Sequence, residues 1–334
     1  MKIWKRMIPL ALALLLLAGC AENVEIPENG EVPQVDESVF LDQVTLEEVD
    51  LTDEMVALSS SPAALPIVLK PVASGAKVKK NTRVTVDYSN AKDGYVMVNF
   101  TDTTPTRLKV KVIGPSSTEY VYNLTAKEWT TFPLSDGNGS YTVKVYEQNT
   151  HNTKYATVLT ASFSVTLTDE FAPFLRPNQY VNYESAENTV AMGQELAGEI
   201  KDPLKKVEVI YDYVVKNFTY DKERAATVKS GYLPDLDSVL KEKKGICFDY
   251  AALMTAMLRS QGVPCKLVTG DAGGAFHAWV SVWTEETGWI EGVVYFDGST
   301  WQRMDPTFAS SGNSSEKIMQ YIGDGKNYSS KNFY

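Results

Sequence analysis

The sequence has little cysteine and almost no histidine. Its 334 residues include three cysteines and two histidines, His151 and His277. Three cysteines are too few for a disulfide-rich scaffold, and two histidines leave almost nothing from which to build a histidine-based metal centre. Histidine chemistry, if the protein has any, therefore depends on one of these two residues, and no metal site is expected.

Positive charge is absent from a long stretch near the start of the chain. No Lys or Arg occurs between Ala21 and Leu69, whereas that stretch holds twelve Asp and Glu residues. The net charge is +3 over residues 1–19, −12 over residues 20–69 and −1 over residues 70–334, within a formal total of −10. Because nucleic-acid binders usually present a basic face, we expect no nucleic-acid partner. The rest of the chain is close to neutral.

The N-terminus also lacks an apolar run long enough to cross a bilayer. Three basic residues precede the twelve apolar residues Met7–Ala18, which are fewer than the roughly 20 of a transmembrane helix and indicate a secretory signal. The sequence Leu17-Ala18-Gly19-Cys20 resembles the lipobox of bacterial lipoproteins, in which the cysteine is lipidated and starts the mature chain. We predict a signal peptide over residues 1–19 and an extracytoplasmic protein anchored to the cell membrane or surface by palmitate or a similar lipid on Cys20. An ordinary signal peptide with an incidental cysteine is the alternative.

Residues 20–75 are predicted to form an acidic flexible tether. Prolines recur between residues 27 and 66, and like charges repel one another and extend a linker. The apolar clusters Val39–Leu41 and Met55–Leu58 leave an alternative in which short helices form and dock.

Residues 76–168 alternate between apolar and polar side chains. Val84–Tyr88, Tyr95–Phe100 and Tyr141–Tyr146 show this period of two, with turn residues between such segments. Regular short strands without a helical period predict an all-β immunoglobulin-like sandwich. His151 falls in a polar stretch of this region and is expected to be a solvated loop residue.

Residues 169–334 change to a helical period and then return to strand alternation, which predicts an α+β domain. One helix is introduced by Asp202 and Pro203, and a second is expected from about Cys247 to Gln261. A multidomain chain follows from these two regions, with the sandwich first and the α+β domain second.

Three residue types that support nucleophilic catalysis follow one another in the second region. Cys247 enters the first turn of its helix, where unpaired backbone N–H groups and the helix dipole favour a thiolate. His277 lies on a predicted strand, and Asp305 ends another, held extended by Pro306. A thiol, an imidazole and a carboxylate in this order suit a nucleophile, a base and an orienting group.

These residues lie in motifs that resemble the transglutaminase-like superfamily of cysteine enzymes, which share a papain-like core. The matching segments, between about Val207 and Phe308, are Gly245–Ala251, Leu258–Pro264 leading to Val268-Thr269-Gly270, His277-Ala278-Trp279 and Asp305-Pro306-Thr307. The resemblance implies Cys247 as nucleophile, His277 as general base and Asp305 as orienting acid. It also implies a Cys-bearing helix packed on an antiparallel sheet. Asp271 stands where bacterial relatives often have an aromatic residue.

The resemblance implies acyl transfer on peptide or protein amides of the cell envelope, without a cofactor. The acyl group passes to water in a protease or amidase, or to an amine in a transglutaminase. The backbone N–H of Cys247 is one expected oxyanion donor, and Asn217 and Tyr220 are candidates for a second. A catalytically idle binding or adhesion lipoprotein of the cell envelope is the alternative.

The surroundings of the site are less defined. Trp279, Asp249 and Tyr250 are candidate cleft residues, although Asp249 and Tyr250 also suit a supporting role at the helix start. The chain is expected to be monomeric, with its substrate and, through Cys20, the membrane as partners.

Other features of this region also have more than one interpretation. Cys265 is expected in the core, and a disulfide with Cys247, which would block the nucleophile, is the alternative. The tryptophans near His277 suit either a cleft or the packing of a twisted sheet. Residues 221–244 are a candidate cleft wall or lid, and the Ser-, Asn- and Gly-rich tail from Ala309 is expected to be loop or loosely docked.

Overall fold

The computed structural model describes residues 23–24, 65–272, 275–286, 288–296, 301–302 and 328–334. The predicted lipidation site Cys20, most of the predicted acidic tether and the predicted acid Asp305 lie outside these residues. The described ends of that tether are not a free linker, because Asn23 and Val24 pair with Ala156 and Tyr155, and Ile67 donates to the Ser260 carbonyl at 2.7 Å. The tether prediction over residues 20–75 is therefore wrong at these two ends. Among the residues described, no helix is both long and apolar enough to span a membrane.

The first part of the described chain consists of strands. They are β1 (Asn23–Val24), β2 (Val78–Lys80), β3 (Val84–Asp87), β4 (Tyr95–Phe100), β5 (Leu108–Ile113), β6 (Glu119–Leu124), β7 (Trp129–Pro133), β8 (Gly139–Gln148) and β9 (Tyr155–Val165). They form two antiparallel sheets with the orders β1-β9-β8-β5-β6 and β2-β3-β4-β7.

The two sheets pack their apolar side chains against each other. Val110 and Val112 of β5 are buried together with Val96 and Val98 of β4. Across the layers, the ring of Tyr122 on β6 lies 4.8 Å from that of Phe132 on β7. The predicted strand-rich region is therefore present. Its assignment to the immunoglobulin-like class stays a prediction.

The second part combines helices with a further sheet. Its helices are α1 (Glu187–Ala197), α2 (Pro203–Asn217), α3 (Lys222–Thr227), α4 (Leu236–Glu242) and α5 (Cys247–Ser260). Its strands are β10 (Thr219–Tyr220), β11 (Lys244–Gly245), β12 (Cys265–Ala272), β13 (Ala275–Thr284), β14 (Gly288–Phe296), β15 (Trp301–Gln302) and β16 (Tyr328–Phe333). The last five form an antiparallel sheet in the order β15-β14-β13-β12-β16, and β10 pairs with β11 in parallel.

Both predicted helices form where the sequence signals place them. The Asp202 side chain accepts hydrogen bonds from the N–H groups of Leu204 and Lys205, and Pro203 occupies the first helical position of α2. Helix α5 is buried from Asp249 to Ser260 and packs on β12 and β13. A Cys-bearing helix on an antiparallel sheet is the arrangement that the sequence predicts.

The tail from Ala309 is predicted to be loop or loosely docked, but its described part differs, because Tyr328–Phe333 form the edge strand β16. A buried arginine joins this strand to the core. Arg259 of α5 donates to the carbonyl oxygens of Cys265, Arg176 and Tyr334. A fully buried guanidinium needs all its donors satisfied, so Arg259 fixes α5, β12 and the end of β16 relative to one another.

An aromatic cluster connects the two parts of the molecule. Tyr122 of β6 stacks on Tyr180, with ring centroids 5.5 Å apart, and Tyr180 in turn contacts the rings of Tyr334 and Phe248. Phe248 follows Cys247 on α5. The sandwich therefore packs close to the start of the helix that carries the candidate nucleophile.

Candidate active site

Cys247 occupies the first position of α5. Ile246 before it is extended, with φ −100° and ψ 174°, so the chain turns into the helix at the cysteine. Cys247 is half-buried as a residue, and its sulfur lies within hydrogen-bond reach of the N–H groups of Ala278, Phe248 and Cys247 itself. Donors from the helix start and from strand β13 therefore converge on this atom.

Burial nevertheless dominates the ionisation of this thiol. Desolvation raises the pKa of Cys247 to about 11, although the hydrogen bonds from Ala278, Phe248 and its own N–H lower it. The helix start therefore favours the thiolate, as predicted, but burial outweighs this effect in the resting protein. The free-energy cost of burying the thiolate exceeds the stabilisation that the three backbone N–H groups give it.

His277 lies on β13, opposite Gly270 of β12. It is buried, with 8% of its surface exposed, and it directly precedes Ala278. Because the N–H of Ala278 reaches the Cys247 sulfur, the strand that carries His277 lies against the thiol. The structure thus brings together the helix and the strand that the sequence singles out.

The third predicted catalytic residue, Asp305, is outside the described residues. The strand that precedes it, β15, pairs with β14, which pairs with β13. Strand β15 therefore lies on the same sheet as His277, two strands away. The orienting role of Asp305 stays a prediction.

Asp249 supports the helix start from inside the protein. Its carboxylate accepts hydrogen bonds from the backbone N–H of Ile246 at 2.9 Å and from the hydroxyl of Tyr232 at 2.6 Å, and Arg224 Nη1 lies 3.3 Å away. Gly245 leaves room for it, since a Cβ there would come within 2.8 Å of Asp249 Cβ. Burial raises the pKa of the Asp249 carboxyl, whereas these donors lower it.

Tyr250 has a comparable supporting role. Its ring is fully buried and packs edge-on against Phe218, and its hydroxyl donates to the carbonyl of Thr219. Asp249 and Tyr250 are thus buried supports of the helix start, which corrects their assignment as cleft residues. The reason is that residues two and three positions after Cys247 point into the domain.

The two candidates for a second oxyanion donor differ in position. The amide of Asn217 is exposed and donates to the Tyr213 carbonyl at 2.8 Å, at the end of α2. Tyr220 is half-buried, and its pKa is raised by burial and then by the charge of the Cys247 thiolate. Of the two residues, Tyr220 is therefore the one that interacts electrostatically with Cys247.

The tryptophans near His277 act mainly in packing. Trp279 is buried, and a Cβ on Gly270 would come within 2.7 Å of its Cη2 atom. Trp283 packs on Phe171 with ring centroids 4.3 Å apart. These contacts favour the prediction that the aromatic residues stabilise a twisted sheet.

Cys265 is a core residue, as predicted. It is fully buried, its Sγ lies 3.5 Å from the Thr255 carbonyl, and desolvation raises its pKa to about 12. Cys247 and Cys265 are separate free thiols, so the disulfide that would block the nucleophile is not formed.

Arg224 and Tyr232 were not singled out by the sequence. They belong to the connection over residues 221–244, which contains α3 and α4 rather than one long loop. Spacing could not reveal them, because they are separated from Asp249 by 25 and 17 positions in the sequence, respectively. Their contacts place this connection beside the start of α5.

Comparison with known proteins identifies the region around this site. Residues 190–306 match the family model of the transglutaminase-like superfamily. The chain therefore contains a transglutaminase-like domain of mixed α and β structure, which confirms the resemblance carried by the motifs.

Individual relatives are similar over parts of their length. A stretch of 105 residues is 30% identical to Uncharacterized protein YebA of Bacillus subtilis (strain 168), covering 25% of this chain and 14% of that protein. Another of 68 residues is 32% identical to Protein-glutamine gamma-glutamyltransferase of Pseudomonas aeruginosa PAO1, covering 16% of this chain and 10% of that protein. The chain thus spans a small part of these relatives.

A solved structure also resembles the chain. It is a candidate cysteine protease from Cytophaga hutchinsonii, 17% identical, with a TM-score of 0.32, over 59% of this chain and 77% of that one.

Proposed function

We propose that the protein catalyses cysteine-dependent acyl transfer on peptide or protein amides. Cys247 acts as nucleophile, His277 as general base and Asp305 as the acid that orients the imidazole. The observation that supports this most directly is the position of the Cys247 sulfur at a helix start, within hydrogen-bond reach of the backbone of the strand that carries His277.

The first half-reaction begins from a neutral thiol. Because burial holds the Cys247 proton on sulfur, His277 takes that proton as the sulfur attacks the amide carbonyl. The tetrahedral oxyanion accepts a hydrogen bond from the Cys247 backbone N–H, with Tyr220 the better placed candidate for a second donor. Collapse breaks the C–N bond, His277 returns the proton to the leaving amine, and a thioester on Cys247 remains.

The second half-reaction decides the reaction class. Water attacking the thioester with His277 as base releases a carboxylic acid, which makes the protein a protease or amidase. A primary amine attacking in the same way forms a new amide, which makes it a transglutaminase. The Pseudomonas relative is named for transfer and the Cytophaga protein for proteolysis, so the assay measures both.

The proposed location is the outer side of a bacterial membrane. Lipidated Cys20 anchors the chain, and the acidic residues between Val24 and Leu65 form the tether whose negative charges repel one another. The immunoglobulin-like module then separates the catalytic domain from the anchor. A Cys20→Ser variant is expected to leave the membrane fraction, and its retention there would contradict the lipid anchor.

The test of the activity compares two cysteine variants. Purified parent, Cys247→Ala and Cys265→Ala proteins are incubated with a mixture of glutamine-containing peptides and a fluorescent primary amine. Peptide cleavage, ammonia release and amine incorporation are followed together. We expect Cys247→Ala to lose all turnover and Cys265→Ala to keep it.

Each result has a defined meaning. Turnover by Cys247→Ala would show that the nucleophile lies elsewhere. A folded parent protein that gives none of the three products with peptides or with envelope proteins would contradict the enzymatic function and favour a binding or adhesion protein.

A further inference from the structure

A buried carboxylate lies two residues beyond the nucleophile and is held from three directions. Asp249 Oδ2 accepts from the N–H of Ile246, and Asp249 Oδ1 accepts from Tyr232 Oη at 2.6 Å. Arg224 Nη1 approaches Oδ2 at 3.3 Å. Asp249 is fully buried, whereas 28% of the Arg224 side chain is exposed.

The donors come from elements that are separate in sequence from α5. Arg224 lies on α3, which Asp221 caps by accepting from the Arg224 N–H at 3.0 Å. Tyr232 follows Gly231, whose φ of +87° favours glycine and which packs against the Asn123 side chain of β6. The sandwich and α3 thus fix the two groups that reach the carboxylate.

We propose that Asp249, Arg224 and Tyr232 together set the ease with which Cys247 loses its proton, with Arg224 and Tyr232 acting as positioning residues for the Asp249 charge. This inference rests on the proposed role of Cys247 as nucleophile. Under this proposal, residues 221–244, which carry Arg224 and Tyr232, contribute to the reaction through their electrostatic effect on Cys247.

The direction of each effect follows from charge. The carboxylate of Asp249 raises the pKa of the Cys247 thiol, since two negative charges repel. Arg224 brings a positive charge, and Tyr232 a hydroxyl donor, to the same carboxylate. Removing Asp249's charge therefore eases ionisation of Cys247, and removing Arg224's charge hinders it.

Other ionisable groups face this cluster and belong in any pH analysis. Arg224 also lies 3.3 Å from Glu242 of α4 and 3.6 Å from Asp221. Lys244 of β11 pairs with Asp221 at 3.2 Å. Among the described residues, Tyr220 of β10 interacts with Cys247, and Tyr250 of α5 interacts with Asp249, Asp221 and Arg224. His277 of β13 directly precedes Ala278.

The experiment measures labelling of Cys247 by iodoacetamide in the purified full chain. Rates are taken across a pH series and compared at about pH 9, well above the ordinary pKa of a carboxyl group. A neighbouring charge within about 4–6 Å changes a pKa by about one unit or more, and one unit is the change expected here. A change of one pKa unit alters the fraction of thiolate tenfold. Because a thiolate of lower pKa is also less nucleophilic, the labelling rate changes only about threefold.

Three variants carry the prediction. Asp249→Asn should label about threefold faster than the parent, because the repelling charge is gone while its side-chain oxygen can still accept from Ile246. Arg224→Gln should label about threefold more slowly, and Tyr232→Phe should also be slower, by a smaller factor.

Matched substitutions in the sandwich serve as controls. Arg83→Gln removes a guanidinium that pairs with Glu147 at 2.9 Å, and Tyr141→Phe removes a hydroxyl bound to the carbonyls of Leu134 and Gly137. Asp136→Asn neutralises a carboxylate that accepts from Ser116. All three should label at the parent rate.

The signs of the changes separate the alternatives. A purely structural role would loosen the helix start and expose the thiol, so all three variants would label faster; that result, or equal rates throughout, would refute the proposal. Labelling requires no turnover. If Asp249→Asn labels faster and Arg224→Gln and Tyr232→Phe label more slowly in a protein without acyl-transfer activity, this inference holds while the proposed function fails. If the labelling rates are unchanged in an active enzyme, the proposed function holds while this inference fails.

Discussion

Cys247 is predicted to react as a buried thiol rather than as a preformed thiolate. Burial raises its pKa from an ordinary value of 9.0 to about 11. At about pH 8 it should therefore carry about a hundredfold less thiolate than an exposed cysteine. The higher basicity makes each thiolate about tenfold more nucleophilic. The net expectation is labelling by iodoacetamide roughly tenfold slower than that of a free thiol.

Mass spectrometry of the Cys247 peptide over a pH series measures this rate, with glutathione as the reference. The rate should rise with pH until close to pH 11, because the thiol deprotonates only there. Cys265 provides an internal control. It is fully buried and its pKa is raised to about 12, so it should label more slowly than Cys247 in the same sample.

An apparent pKa for Cys247 at or below that of free cysteine, roughly 8.5, would refute this reasoning. It would mean that a positive charge on His277 holds a thiolate in the resting protein despite burial. A His277→Ala variant distinguishes the two cases. If burial determines the apparent pKa of Cys247, this variant should have the same value as the parent. If an ion pair with His277 determines it, the apparent pKa of Cys247 should rise in the variant.

Three further substitutions test the packing around the site through the free energy of unfolding in urea. Arg259→Met should cost about 3 kcal/mol or more, because it leaves the buried carbonyl of Cys265 and others without donors; a loss under about 1 kcal/mol would contradict this. Gly270→Ala should cost about 1–3 kcal/mol, since its Cβ would overlap Trp279 and the backbone of Ser329, and a neutral effect would show that β16 can move. Asp202→Ala should cost about 1 kcal/mol through the lost cap of α2, and unchanged stability would show that the cap is replaced by solvent.

The sequence could predict what depends on local pattern and on rare residues. Strand alternation and the Asp202-Pro203 signal are local, and both were confirmed. The scarcity of Cys and His, together with the motifs around Cys247 and His277, reduced the candidate chemistry to two side chains. The structure then placed the helix start of one against the strand of the other.

What the sequence could not predict depends on tertiary environment. The helix start at Cys247 favours a thiolate locally, but the desolvation that outweighs it comes from the folded surroundings. Tyr232 and Arg224 meet Asp249 only because α3 and the following connection fold back beside α5. Strand β16 was missed because main-chain pairing with β12 does not require an apolar alternating sequence.

The position of β16 has a consequence for how the domain assembles. In the order β15-β14-β13-β12-β16, the strand beside β12 is supplied by residues 328–333, and the Arg259 guanidinium finds one of its acceptors at Tyr334. Until that stretch of chain is available, β12 presents an open edge and Arg259 lacks one of its three acceptor residues. Pairings between such distant residues form slowly. The nucleophile helix therefore reaches its final packing only after residues 328–334 have been synthesised and have paired with β12.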